Sequence, residues 1–243
     1  MRTLFGFARR AVGLVSRVRP GATSSSRSPA GFVGAATAPV GRRPLLDDRV
    51  GPQRRGGAVL DQVDGTTCGS AVLVALAAWA DPAELARLEA PAGTGSPAGG
   101  AGFGARYDAW QRQVHRQTNR FWPRALGTTP WDAARWIRRY APAAGHYRVR
   151  LVDDTSAADV EALVVEVGAA LAAGRPVPLL VGSFVPRHYV LALGAEGGAG
   201  GDAWRVYEPT SGQVRLLGLA AVRGRALAPV VGFDRLHAAL LPS

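Results

Sequence analysis

The sequence predicts an α+β fold, with helices in its first half and a twisted antiparallel sheet in its second. Three observations lead there. The run Ala71-Val72-Leu73-Val74-Ala75-Leu76-Ala77-Ala78-Trp79 is apolar on every side, so the helix it forms is a buried one. Thr129-Pro130-Trp131-Asp132 and Ser156 are strong helix starts further on, each followed by apolar residues at helical spacing. From Val177 onward the pattern changes to short apolar runs separated by Gly, Asp and Ser, the spacing of antiparallel strands.

Taken in order, the chain opens on a segment with Arg2, Arg9, Arg10, Arg17, Arg19, Arg27, Arg42 and Arg43 before its first acid, Asp47. Its two apolar pieces are split by Arg9-Arg10, so it lacks the uninterrupted run of about 7–15 residues that an export signal needs. Residues 1–57 are expected to form a basic, disordered tail with weak attraction to anionic surfaces, and 58–243 the folded domain. After the buried helix, Asp81-Pro82 restarts a short helix to about Glu89, and Pro91 to Gly100 reads as a mobile loop. Tyr107 to about Asn119 reads as a polar, solvated helix. Ala133, Trp136, Ile137 and Tyr140 share one face of the helix begun at Thr129. Tyr147 to Val152 alternates as a strand. Ser156 then caps a helix with a Val160, Leu163, Val164, Val167 and Leu171 stripe, ended by Gly174 and Pro176. Val177–Val181, His188–Leu193, Trp204–Tyr207 and Val214–Leu217 are the expected sheet strands that follow.

Composition excludes several classes. One cysteine in 243 residues rules out an internal disulfide. No run approaches the ~18 apolar residues of a membrane-spanning helix. The net charge of +11 comes from 29 basic and 18 acidic residues, and every basic one is Arg. With the Ala, Gly and Pro richness, this points to GC-rich coding rather than to a nucleic-acid footprint. No nucleic-acid-binding motif accompanies the arginines, so no specific nucleic-acid partner is expected. The expected location is cytoplasmic. No His, Cys or acid cluster has metal-ligand spacing, and no cofactor is expected.

The chemistry concentrates at Asp61-Gln62-Val63-Asp64-Gly65-Thr66-Thr67-Cys68-Gly69-Ser70. Cys68 sits where a Gly/Thr turn becomes a helix, and the free N–H groups of a first helical turn favour a thiolate. Gln62, six residues upstream, is placed to donate to a developing oxyanion together with the Cys68 N–H. His188 opens one strand and Glu208 closes the next, so on adjacent antiparallel strands an imidazole and a carboxylate meet. A nucleophile, a base and a third group orienting the base make an activated thiol. Each residue alone has a plainer reading: a buried small residue for Cys68, a strand-end polar group for His188, a turn carboxylate for Glu208. His115, His146 and His237 lie in polar or terminal stretches and read as structural.

In this order and spacing, Gln62-x5-Cys68-Gly69, Gly127-Thr128-Thr129-Pro130, Gly174-Arg175-Pro176-Val177, His188-Tyr189-Val190-Leu191 and Tyr207-Glu208-Pro209-Thr210-Ser211-Gly212 resemble papain-like cysteine peptidases. The closest likeness is to the bacterial double-glycine leader (bacteriocin-processing) peptidases. The resemblance runs thinly over residues 60–217. It implies a Cys-bearing helix packed on an antiparallel sheet, with Cys68 as nucleophile, His188 as base and acid, Gln62 as oxyanion donor and Glu208 as the orienting acid. A peptide or protein is then the substrate. Two departures stand out: Ser70 where that bacterial branch has Pro, and Glu208 where it has Asp, one methylene longer. The competing classes are a degenerate papain-like module that binds a peptide or protein partner without turnover, and an acyl or amide transferase using the same thiol.

Overall fold

The computed structural model describes residues 44–47, 49–90, 102–119, 127–197 and 201–243. The expectations for the basic segment up to Arg43 and for the Pro91–Gly100 loop fall outside them. Among the described residues are seven α-helices and a seven-stranded antiparallel sheet. The helices are α1 (Cys68–Ala80), α2 (Pro82–Glu89), α3 (Phe103–Thr118), α4 (Pro130–Tyr140), α5 (Ala157–Ala172), α6 (Leu219–Gly224) and α7 (Ala228–Val231). The strands are β1 (Gly51–Pro52), β4 (Tyr147–Leu151), β5 (Val177–Gly182), β6 (Pro186–Glu196), β7 (Ala203–Glu208), β8 (Gln213–Gly218) and β9 (Arg235–Pro242), in the order β1-β8-β7-β6-β5-β9-β4. A small hairpin of β2 (Arg54–Arg55) and β3 (Ala58–Val59) stands apart.

The sheet separates two apolar cores, and the two-residue period of its strands assigns their side chains. Leu180, Tyr189, Leu191, Tyr207, Ala238 and Leu240 face the first core, with α1 to α4. Leu179, Val181, Val190, Val206, Ala239 and Leu241 face the second, with α5 to α7. Helix α1 lies on β6 and packs against α2, α3 and α4. Every residue of it from Cys68 to Ala78 is buried, as its all-round apolar sequence requires. No single helix among the described residues is long and apolar enough to cross a membrane.

Caps set the helix starts. Asp81 accepts from the Ala83 N–H at 2.8 Å, Thr129 from Asp132 at 3.1 Å and Ser156 from Asp159 at 3.3 Å. Gly174, at φ +68°, closes α5 in the left-handed region.

The structure corrects three expectations. The domain boundary at 58 lies inside the fold: Leu45 and Leu46 are buried in the first core, and β1 pairs with β8. The side chain of Gln53 organises this segment, accepting from the Asp47 N–H at 2.7 Å and donating to the Arg49 carbonyl at 3.2 Å. Helix α3 is not a solvated element, because Phe103, Tyr107, Gln111, Val114, His115 and Thr118 bury one face of it. Tyr140 shares the apolar face of α4 in sequence but lies at its exposed end, its ring tilted against that of Trp136. His115 and His237, read as structural, are both buried, the latter on β9, an interior strand between β5 and β4.

Candidate active site

Cys68 is the first residue of α1, and the loop before it is shaped by its own polar side chains. Asp64 Oδ1 accepts from the Thr66 N–H at 2.8 Å and from its hydroxyl at 2.7 Å. The Thr67 hydroxyl is 3.0 Å from both the N–H and the carbonyl of Asp64, so it turns away from the helix and no side chain caps α1. The helix therefore presents its leading N–H groups at the thiol end. Gly69 allows close packing there: a Cβ on it would lie 3.2 Å from both Thr128 and Tyr189.

The loop is fastened to the far side of the site by backbone groups. The Gln62 N–H donates to the Pro209 carbonyl at 2.8 Å, and the Gln53 N–H to the Gly212 carbonyl at 2.7 Å. The Tyr207 hydroxyl donates to the Leu60 carbonyl at 2.7 Å. Buried Gln111 of α3 clamps the same loop, donating to the Asp61 carbonyl at 2.9 Å and accepting from the Val63 N–H at 3.3 Å. Gly212, at φ +61°, is needed because a Cβ would strike Val59 at 2.6 Å. These contacts hold the Cys68 loop against the β7–β8 turn that carries Glu208. Gln111 carried no signal in the sequence, whereas Tyr207 and Ser211 were visible within the stretch around Glu208.

His188 Nε2 lies 2.9 Å from Glu208 Oε1, with both side chains almost wholly buried. A carboxylate only accepts, so Nε2 carries the hydrogen and Nδ1 is left for the thiol. Cys68 Sγ reaches the carbonyl of Arg187, the residue before His188, at 4.0 Å. Burial opposes a charged imidazole, but hydrogen bonding and charge interaction with the Cys68 sulfur and the Glu208 carboxylate outweigh it and raise the His188 pKa to about 9. Phe233, from the second core, covers the imidazole with ring centroids 5.9 Å apart.

Glu208 is held by its own turn. Oε1 also accepts from the Thr210 N–H at 2.7 Å, while Oε2 accepts from the Ser211 N–H at 2.9 Å and hydroxyl at 2.7 Å. Burial alone would favour the neutral acid; the bonds from His188, Ser211 and Thr210 prevail and lower its pKa to about 2. The extra methylene relative to Asp is thus taken up inside the turn, and the imidazole is still met at an ordinary hydrogen-bond distance.

Gln62 stands in the same loop, half-buried. Its Nε2 donates to the Asp64 carbonyl at 2.7 Å and its Oε1 accepts from the Thr210 hydroxyl at 3.3 Å. An amide nitrogen has two hydrogens, so one donor remains beyond the bond to Asp64. His115 is bound to Asn119, whose Nδ2 lies 3.1 Å from its Nδ1, and His237 Nε2 donates to the Ser183 carbonyl at 3.2 Å. Burial lowers the His237 pKa to about 4, so that imidazole is neutral. Among the described residues no three His, Cys, Asp or Glu side chains are arranged to hold a metal ion.

Fold and site together define an α+β protein with a buried Cys-His-Glu constellation at one end of its sheet. No protein-family model matches the chain, and no curated protein matches it either.

Proposed function

We propose that this chain is a cysteine peptidase of papain-like fold, resembling the bacterial double-glycine leader peptidases and cleaving peptide or related amide bonds. The observation that carries the reading is the 2.9 Å bond from His188 to Glu208 beside the thiol of Cys68. The three groups come from separate elements, and an orienting acid, a base and a sulfur at an uncapped helix start are the parts of an activated thiol. The packing of α1 on an antiparallel sheet supports the same reading.

In this mechanism the Cys68 thiolate attacks the carbonyl carbon, and the carbonyl π electrons move onto oxygen. The Cys68 N–H and the second Gln62 amide hydrogen stabilise that oxyanion. The intermediate collapses, the C–N bond breaks, and the His188 imidazolium gives its Nδ1 proton to the departing amine. Water then loses a proton to Nδ1 and adds to the thioester carbonyl. Collapse of this second intermediate breaks the C–S bond, releasing the acid and restoring the thiolate–imidazolium pair. Glu208 keeps its charge throughout and holds Nε2.

The test combines labelling with turnover. An electrophilic peptide aldehyde should modify Cys68 in the folded protein, and Cys68→Ala and His188→Ala should each abolish cleavage of a peptide panel. The double variant should be little worse than either single one, since the groups act as a unit. Gln62→Ala should keep the thiol reactive and lose roughly 10²–10³-fold in turnover. A thiol that reacts only after denaturation would overturn the reading.

A further inference from the structure

The turn between β5 and β6 carries Phe184 and Val185, which are 42% and 39% exposed. Other exposed large apolar residues, such as Trp131, Val165 and Leu216, occur singly, which is ordinary for a protein surface. This adjacent pair leads straight into the site. Val185 is two residues before Arg187, whose carbonyl lies 4.0 Å from Cys68 Sγ. At the rise of an extended chain it stands about 7 Å from Arg187. Phe233 stands at the same end of the sheet: Gly182 pairs with both Pro186 and Arg235, so the 233–235 segment and the turn emerge there on either side of β5. Phe233 is half-buried against the His188 ring.

The turn is also fixed in place. A Cβ on Gly182 would lie 2.1 Å from the Val185 carbonyl and 2.9 Å from the Pro186 Cα, so the chain doubles back as tightly as glycine permits. Beneath it, the neutral His237 ring donates to the Ser183 carbonyl. A backbone fixed in this way presents its two exposed apolar side chains at little further cost in backbone entropy when a ligand covers them.

We infer that Phe184, Val185 and Phe233 form a subsite for apolar residues on the leaving-group side of the cleaved bond. This rests on the peptidase reading. In that reading His188 protonates the departing amine, so the leaving half of the substrate lies on the His188 side of the thiol. A peptide advances by about 3.3 Å per residue, so its second or third residue beyond the bond comes level with the turn. The occupant is therefore the apolar stretch immediately C-terminal to the bond that is cut.

The test uses the full chain and peptides that share one acyl half. Their second and third leaving-side residues are Leu and Phe in one set and Ser and Asn in the other. The wild type should cleave the apolar set with kcat/KM higher by about 10-fold or more, the scale of apolar pocket discrimination. The F184S/V185S double variant should lose that preference through the apolar set alone, with iodoacetamide labelling of Cys68 unchanged. Both substituted side chains are exposed, so folding is preserved. Cleavage by the wild type without a leaving-side preference, or a preference that survives in the double variant, would overturn the subsite and leave the peptidase reading standing. Failure of the wild type to cleave either set, with a Cys68 inert to iodoacetamide, would overturn both.

Discussion

His188 and Glu208 are the two groups whose ionisation folding changes most usefully, and they act in opposite directions. The folded pKa of His188, about 9, lies above its ordinary 6.5. Its contribution to stability is therefore complete below 6.5 and is lost as the pH rises through about 9. Glu208 has a folded value of about 2 against an ordinary 4.5. Its contribution is complete above 4.5 and is lost as the pH falls through about 2. Between those limits the imidazolium and carboxylate form coexist. Replacing the carboxylate should therefore weaken the imidazolium: in Glu208→Gln the His188 titration should move to lower pH. The measurement is the pH dependence of its ring-proton chemical shift, and an unchanged midpoint would show that Glu208 does not hold the charge. Cys68, His188, Glu208 and Gln62 were legible in the sequence because their chemistry is distinctive and their order is informative. Gln111 was not, since a glutamine on an Arg-rich helix is ordinary until a neighbour's carbonyl is found beside it.

Two elements, β9, which the sequence pattern does not announce, and α3, which reads as solvated, share a physical cause. Strand β9 reads Arg-Leu-His-Ala-Ala-Leu-Leu-Pro, a composition that local propensity assigns to helix. Pairing with β5 and β4 on either side overrides that preference, and it makes β9 an interior strand. Helix α3 hid its buried face because two of the side chains on it, Gln111 and His115, are polar and make hydrogen bonds in the interior. The helices that begin at Asp81, Thr129 and Ser156 and the strands β4 to β8 were legible because their caps and apolar periods agree with their packing, whereas the short α6 and α7 have no side-chain cap to announce them. The link between β4 and α5 is of a different kind. Arg150, nearly buried on β4, binds Asp159 and Glu166 of α5, each at 3.0 Å, and also donates to the Leu151 carbonyl at 2.6 Å. Removing Arg150 takes its charge away from the nearly buried Asp159, although Glu166 keeps Arg148 at 2.8 Å. Arg150→Ala should therefore destabilise the protein by about 3–5 kcal/mol in urea unfolding. A loss under about 1 kcal/mol would place the pair among surface salt bridges instead.

At the scale of the whole molecule, the site joins parts far apart in the chain, and the segment before Ala58 helps to hold them. The Cys68 loop, the β7–β8 turn and the start of β6 meet at one end of the sheet, and only contacts distant in sequence fix their spacing. The segment from Pro44 to Gly57 belongs to that arrangement. It adds β1 to the edge of the sheet beside β8, and its Gln53 N–H bonds the Gly212 carbonyl at the end of the Glu208 turn. The Gln53 carbonyl in turn accepts from the Leu60 N–H at 2.9 Å, on the approach to Gln62. No local pattern signals this, because Gly, Pro and Arg dominate the segment and its strands are two residues long. Burying Leu45 and Leu46 contributes about 1.5–3 kcal/mol each, enough to register in the melting of the whole protein. A chain beginning at Ala58 should therefore melt lower than one beginning at Pro44 by at least about 6 °C, taking about 2–4 °C per kcal/mol for a protein of this size. Its Glu208 turn should also loosen, so that alkylation of Cys68 loses its dependence on the His188 titration before the protein unfolds. Equal melting temperatures for the two chains would show that the segment rests on the domain without supporting it. Equal melting with altered alkylation would confine its role to the site.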